Sequence, residues 1–242
     1  MRNIRIYQST DLVCGASIEL DKAAANHLIR VLRLKDQQEF TLFNGTGGEF
    51  TARLEIDGKR AIAHIQNFNE INNESPLHIH LLQGISKGDH MDLTIQKAVE
   101  LGVSQITPIK CERTVVNLKA DRLQKKLQHW RAIAISACEQ SGRNILPPIL
   151  PVCGFSQASA ELRAGSKFIL DPLATHSLPD CKPQQSSVTF FIGPEGGLSE
   201  AEITQARAAG FSGVRLGPRI LRTETAALTA VSSAQLLWGD LN

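Results

Sequence analysis

From Leu77 to Trp238 the chain alternates short apolar runs with helical patterns, and this rhythm limits the possible folds more than any other feature. "LHIHLLQGI" reads as a strand, "DLTIQKAVELG" as a helix stopped by Gly102 at the C′ position, and "VSQITPI" as the next strand. "DRLQKKLQHWRAIAISACEQ" is long and amphipathic, with Leu123, Leu127, Trp130, Ala134 and Ala137 near one stripe. "KFIL" and "VTFFI" are apolar throughout, as strands covered on both faces are. Ser199 and Glu202 form a capping box ahead of "EAEITQARAA", which Gly210 stops. "VRLG" then reads as the last strand and "TAALTAVSSAQLLW" as the last helix. Alternation of this kind predicts an α/β domain with a mostly parallel sheet.

The first part of the chain has a different texture, separated by the polar stretch "NEINNESP", Asn69 to Pro76, which reads as a linker. "SIEL", "EFTLF", "EFTARLEI" and "AIAHIQNF" alternate at period two, with turn chemistry in "NGTGG" and "DGK". Asp21 is placed to cap a helix through "KAAANHLIRVLRL". One helix with several hairpin-linked strands predicts a small β-barrel-like module.

Charge and cysteine usage exclude more than they assign. A net charge of +2 implies no partner, but Lys110 to Arg143 holds eight basic residues (Lys110, Arg113, Lys119, Arg122, Lys125, Lys126, Arg131, Arg143) against Glu112, Asp121 and Glu139. That local excess fits an anionic partner or a solvated helix face. Cys14, Cys111, Cys138, Cys153 and Cys181 are scattered with no CxxC pair, which argues for a reducing compartment and against a structural zinc. Neither an export signal nor an apolar run of about 18 residues is present, so a cytoplasmic protein is expected, with no membrane partner and no metal. GxGxxG after the first strand of the second domain, GxxxxGK[ST] and HExxH are all missing. His78 and His80 fall on one face of a strand and read as structural.

Two strand ends stand out. In "VTFFIGPEGG" a buried strand runs into Gly193, Pro194, Gly196 and Gly197, and "VRLGPRILRTETA" repeats the device with Gly217 and Pro218. Open parallel sheets bind ligands beyond the carboxyl ends of their strands. These loops offer main-chain groups and the apolar side chains Ile192, Leu216, Ile220 and Leu221. Pro194 has no N–H and Glu195 repels anions, so the pair suits a neutral purine and a thioether-like body better than a polyphosphate.

"GPEGGLSEAEI" followed by "LGPRILRTETA" resembles the knotted SPOUT class of S-adenosylmethionine-dependent RNA methyltransferases. Within it the chain is similar to the family that methylates N3 of uracil in 16S ribosomal RNA. "RNIRIY", "HLIRVLRLK" and "LFNGTGGEF" resemble that family's PUA-like RNA-binding module, and "KGDHMDLTIQKAVELGVSQITPI", "ERTVV" and "ACEQSGRNILP" its later segments. One departure is "LKDQQEF", where the family places a glycine turn before the strand.

The resemblance implies a PUA-like β-barrel over residues 1–72 and a SPOUT domain with a deep trefoil knot over 73–242. It also implies a homodimer, a small-subunit 16S rRNA substrate and S-adenosylmethionine held by Leu170, Ile192, Gly193, Pro194, Gly197, Leu216, Gly217, Ile220, Leu221, Thr225 and Ala226. The stripe Ala227, Ala230, Ala234 and Leu237 fits either a dimer helix or burial within one chain. N3 carries a proton, so the base must be unpaired and the proton must leave. Arg222 is implied as stabiliser of the imide charge or as orienter of the donor's carboxylate, with Glu224 or Glu195 as proton acceptor. An Arg222–Glu224 ion pair is the alternative. RNA contact is implied for Arg5, His27, Arg30, Arg33, Lys87, Arg113, Arg131 and Arg143, and Lys97 and Glu100 are spaced to pair on a helix. Two other readings stay open: a non-catalytic RNA-binding or ribosome-assembly factor, and a methyltransferase acting on transfer RNA or a ribose 2′-hydroxyl.

Overall fold

The structure is a computed structural model that describes residues 4–115, 120–183 and 185–241. Lys119, Val116 of "ERTVV" and the first residues of "RNIRIY" lie outside the described residues, as does the side chain of Asp121. The chain divides into two compact units, Met1–Glu74 with Cys138–Leu146, and Ser75–Ala137 with Pro147–Asn242.

In the first unit β1 (Arg5–Tyr7), β2 (Ser17–Glu19), β3 (Glu39–Phe43), β4 (Glu49–Asp57) and β5 (Arg60–Asn69) form one sheet in the order β1-β3-β4-β5-β2. β1 runs parallel to β3 and the other pairs are antiparallel. Period-two alternation sends Phe40, Leu42, Phe50, Ala52, Leu54, Ala61, Ala63 and Ile65 into one core with Ile6, Leu20 and Leu28. Asp21 caps α1 (Lys22–Asn26), its carboxylate accepting the N–H groups of Ala23 and Ala24 at 2.8 Å. The helix does not run on to Leu34 as its pattern suggests. It loosens into a π turn over His27–Val31, and Arg33 leaves it at φ 55°.

In the second unit β6 (His78–Gly84), β7 (Gln105–Ile109), β8 (Ser166–Leu170), β9 (Ser187–Ile192) and β10 (Ser212–Val214) form an all-parallel sheet in the order β10-β8-β9-β6-β7. Every residue of β9 is buried. The helices are α2 (Asp89–Glu100), α3 (Ala120–Ser141, whose last turn belongs to the first unit), α4 (Phe155–Ala160), α5 (Glu200–Ala208) and α6 (Thr223–Trp238). The last strand is Ser212–Val214, not "VRLG". Its partner β8 ends at Leu170 opposite Val214, and Arg215 donates its N–H to His176 instead. α4 has no strong sequence signature and was not expected.

Gly102 follows α2 at φ 84°, and the Ser199–Glu202 capping box is formed in both directions. Lys97 and Glu100 pair on α2 at 2.8 Å. α6 contacts α2, β6 and β9, burying Ala227, Ala230 and Ala234 within the chain while Leu237 stays exposed. At its far end the buried Gln235 donates to the carbonyls of Leu101 and Gly102 at 3.0 and 3.3 Å and accepts from Ser75 Oγ at 2.7 Å.

Candidate functional site

Packing between two strand ends sets the position of the first loop. A Cβ on Gly84, the last residue of β6, would lie 2.5 Å from the Pro194 nitrogen, so only glycine lets the loop after β9 rest there. Within that loop a Cβ on Gly193 would stand 2.9 Å from Leu198 N. The turn closes by a Gly197 N–H to Pro194 O bond of 2.8 Å, with Gly197 at φ 70°. Four side-chain bonds anchor the loop and its neighbours. Thr223 Oγ1 donates to Gly193 O at 2.6 Å, and Gln83 Nε2 donates to Thr223 Oγ1 at 2.9 Å. Glu195 Oε1 accepts the N–H of Lys87 at 2.7 Å, and Arg113 Nη1 donates to Gly196 O at 3.1 Å.

Beyond the carboxyl ends of β8, β9 and β10 lies a cavity of about 590 Å³. Leu170 and Asp171 line it from the end of β8, Ile192 to Glu195 and Gly197 from β9, and Val214 to Gly217 from β10. Ile220 to Glu224 and Ala226 close it from the approach to α6 and its first turn, and His90 from α2. The sequence-derived residues Arg222, Glu224 and Glu195 therefore meet the apolar and glycine positions on one wall. Thr225 is exposed and is not on that wall. A Cβ on Gly197 or Gly217 meets nothing within 4 Å, so the main chain there is uncovered.

Arg222 caps α6 with extended backbone at ψ 156°, and the helix's first intrahelical bond runs from Ala226 N to Arg222 O at 2.7 Å. The N–H groups of Thr223 to Thr225 thus have no intrahelical acceptor, and the positive end of the helix faces the site's charges. Glu224 does not pair with Arg222. Its Oε1 lies 3.1 Å from His90 Nδ1, with the Glu224 side chain 10% and that of His90 42% exposed. The cavity also carries Asp171, Arg215 and Arg219.

Sequence reasoning missed His90, Gln83, Thr223 and Asp171. His90 and Thr223 sit inside segments that the resemblance covers and Gln83 shortly before one, whereas Asp171 lies in none, and no local pattern connects His90 to Glu224 or Gln83 to Thr223. Among the described residues no group of three or more His, Cys, Asp or Glu is placed to hold a metal ion. His78 and His80 lie in β6, where burial lowers both imidazoles, His80 to about 4. The described cysteines are free thiols. No helix among the described residues is long and apolar enough to cross a membrane.

The expected RNA contacts fall into two groups. Arg5 is buried against Glu49, with its Nη2 donating to Asn144 Oδ1 at 2.6 Å and its guanidinium 4.9 Å from the Phe43 ring. Arg143 is buried against Glu74, donating from Nε at 3.1 Å. Both arginines therefore hold the first unit together. His27 is half-buried, while Arg30, Arg33, Lys87, Arg113 and Arg131 are exposed.

Comparison with known proteins adds the lineage. Residues 73–235 match the family described as RNA methyltransferase domain, and residues 20–66 the RNA methyltransferase PUA domain. The chain is 38% identical to ribosomal RNA small subunit methyltransferase E of Buchnera aphidicola from Acyrthosiphon pisum, over 98% of this chain and 94% of that one. A Legionella pneumophila protein solved with bound cofactor SAM superposes with a TM-score of 0.95 at 43% identity, covering all of both chains. Ribosomal RNA small subunit methyltransferase E from Neisseria gonorrhoeae, bound to S-adenosyl methionine, superposes with a TM-score of 0.92 at 43% identity, again over both whole chains. With its PUA-like domain, its parallel-sheet α/β domain and this likeness along its whole length, the chain belongs to the ribosomal RNA small subunit methyltransferase E family.

Proposed function

We propose that this chain transfers the methyl group of S-adenosylmethionine to N3 of a uridine in the 16S rRNA of the small ribosomal subunit. The observation that carries the reading is the single cavity on which the GPEGG loop, the LGPRILR loop and the first turn of α6 converge. Its residues fit the donor. Leu170, Ile192, Leu216, Ile220 and Leu221 supply apolar walls for an adenine and a thioether body. The uncovered main chain at Gly197 and Gly217, with Gly193, Pro194 and Ala226 lining the same cavity, supplies polar contacts without side-chain bulk. Bound there, S-adenosylmethionine supplies an electrophilic methyl carbon on a sulfonium.

The chain's own residues handle charge and proton. Arg222 stabilises the negative charge that develops across O2, N3 and O4 as the imide proton leaves. Glu195 already accepts the N–H of Lys87, which favours Glu224, with its carboxylate at the cavity wall, as the acceptor of that proton. Phosphates are gripped by the exposed Arg30, Arg33, Lys87, Arg113 and Arg131, with His27 beside them. Residues 1–72 form the RNA-binding domain and 73–242 the catalytic one, with a trefoil knot in the latter and a homodimer as the working unit in the cytoplasm. The exposed Leu236 and Leu237 of α6 support the dimer.

Mass mapping of 16S rRNA nucleosides from cells with and without the protein tests the reading. One 3-methyluridine is expected to vanish with the protein and return with it. An unchanged 16S rRNA, or purified protein that takes up no S-adenosylmethionine in calorimetry, sinks it.

A further inference from the structure

Gln83 is fully buried near the end of β6, in register with Ile192 at the end of β9. Its amide nitrogen meets two acceptors, Gly84 O at 3.1 Å and Thr223 Oγ1 at 2.9 Å. Thr223 Oγ1 in turn stands 2.6 Å from Gly193 O. The two carbonyls fix the direction of this chain. A carbonyl only accepts, so the amide atom beside Gly84 O is the N–H₂ and not the oxygen. With Nε2 donating to Oγ1, the single hydroxyl hydrogen of Thr223 is left for Gly193 O. Gln83 Oε1 has no hydrogen-bond partner among the described residues. An apolar side chain of similar size would bury without that loss, so what the amide contributes is its N–H groups.

We propose that Gln83 and Thr223 are positioning residues of the donor site: the buried amide orients the Thr223 hydroxyl, the hydroxyl ties the carbonyl of Gly193 to the first turn of α6, and this tie sets the affinity for S-adenosylmethionine. The inference rests on the reading of the cavity as the donor's.

Each group of the chain belongs to a different element: β6, the loop after β9, and the start of α6. Gly193 and Thr223 line the cavity, and the buried Gln83 supports them from the sheet. Arg222 and Glu224 flank Thr223 in sequence, so the same tie holds the GPEGG loop at a fixed span from both. Gly84 acts on that loop in another way. A Cβ there would lie 2.5 Å from the Pro194 nitrogen, so the contact limits how near the loop may come. The Thr223 hydroxyl keeps it from moving off. A loop already held in place gives up less freedom when a ligand binds, and the saving appears as affinity.

The test is calorimetric binding of S-adenosylmethionine to the full-length protein, with single-turnover transfer to small subunits lacking the modification read at saturating donor. Thr223→Val keeps the branched shape and removes the hydroxyl. Its donor affinity should fall about tenfold while the saturated rate stays within about threefold. Thr223→Ser keeps the hydroxyl and should bind within about twofold of wild type. Gln83→Leu should lose about fivefold in affinity. Because the two side chains act in series, combining Gln83→Leu with Thr223→Val should cost about tenfold, not the roughly 50-fold product of independent sites. A readout without donor is hydrogen exchange at the Gly197 N–H, which closes the loop on Pro194 O. Thr223→Val should speed it at least about fivefold and Thr223→Ser leave it unchanged, with the amides of β9 as protected as in wild type. Thr223→Val at wild-type affinity, Thr223→Ser as weak as Thr223→Val, losses that multiply in the double variant, or exchange raised equally along β9 overturns the inference. Leu216→Trp, which fills the cavity, then separates the two readings. If it abolishes binding at an unchanged urea midpoint, the cavity reading survives; if it binds as wild type does, both fall.

Discussion

Two sets of arginines divide the molecule. In the first unit the side chains of Arg5 and Arg143 are almost wholly enclosed, each set against a carboxylate, Glu49 and Glu74, and Arg5 also against Arg143 O and Asn144 Oδ1. Around the cavity of the second unit Arg215, Arg219 and Arg222 are exposed and make no ion pair among the described residues. A charge taken out of water must be matched inside the protein. One left at a cavity mouth keeps its field for a ligand. The difference predicts which arginines hold the fold and which act on a substrate, although both kinds sit in motifs that look equally functional as sequence.

Breaking the enclosed set should cost the most. Arg143→Met leaves Glu74 without its partner and should lower the unfolding free energy by about 3–5 kcal/mol in urea titration. Affinity for S-adenosylmethionine should change by less than about twofold. Arg222→Met should do the reverse. Its single-turnover rate should drop about 100-fold, or about 3 kcal/mol in activation free energy, while the urea midpoint stays put. If Arg222→Met unfolds early and keeps its rate, the division between the two sets is wrong.

The histidines sharpen the same contrast. His90 stands half-exposed at the cavity, whereas His80 is buried in β6, with Thr107 Oγ1 at 2.7 Å and Gln105 Nε2 at 3.2 Å from its Nε2. Burial first, then the charges of His78 and Arg163, lower its pKa from 6.5 to about 4. The folded state therefore refuses a proton that the unfolded chain accepts. Stability is full above the unfolded value and falls as pH drops from 6.5 to about 4, below which this group adds no further loss. The expected loss is about 3 kcal/mol, with His78 shifted in the same direction. His80→Gln should flatten that acid limb in paired urea titrations at the two ends of the interval. An equal slope in both proteins would assign the acid loss to other groups.

What could be read from the sequence was mostly what is local. The strands β6 and β9, helix α2 with Gly102, the Asp21 cap and the Ser199–Glu202 box are each set by a handful of adjacent residues, and all are found. The strand-tip loops were legible too, because Gly-Pro after an apolar strand has few uses. Pairings across the chain were not. Arg5 meets Arg143 O across 138 positions, and nothing near either residue announces it. Their arginine chemistry pointed to phosphate, and only burial reveals the carboxylates beside them. The strand "VRLG" was misplaced because Val214 and Leu216 alternate like a strand, while the length of β8 decides where pairing stops. His90 escaped notice because its partner lies on the last helix.

The smallest effect concerns how the two units make left-handed turns. In the second unit Gly197 and Gly217 take φ 70° and 78° at the cavity wall, a conformation that glycine adopts without strain. In the first unit Gln37 takes φ 65° in "LKDQQEF", the segment that departs from the family's glycine turn. The turn is kept nonetheless, since Gln37 N donates to Leu54 O at 2.8 Å and Asp36 Oδ1 accepts from Ile56 N at 2.8 Å. A side chain held left-handed costs about 1–2 kcal/mol. Glycine's extra freedom in the unfolded chain returns about 0.5–1 kcal/mol of that. Gln37→Gly should therefore stabilise the protein by about 0.5 kcal/mol, read as a higher urea midpoint at unchanged slope. Gly217→Ala should act oppositely, straining a backbone that lines the cavity, so its weakening of S-adenosylmethionine binding should exceed any shift in midpoint. A lower midpoint for Gln37→Gly would mean that its side chain, 3.4 Å from Asp36 Oδ2, contributes more than the strain it imposes.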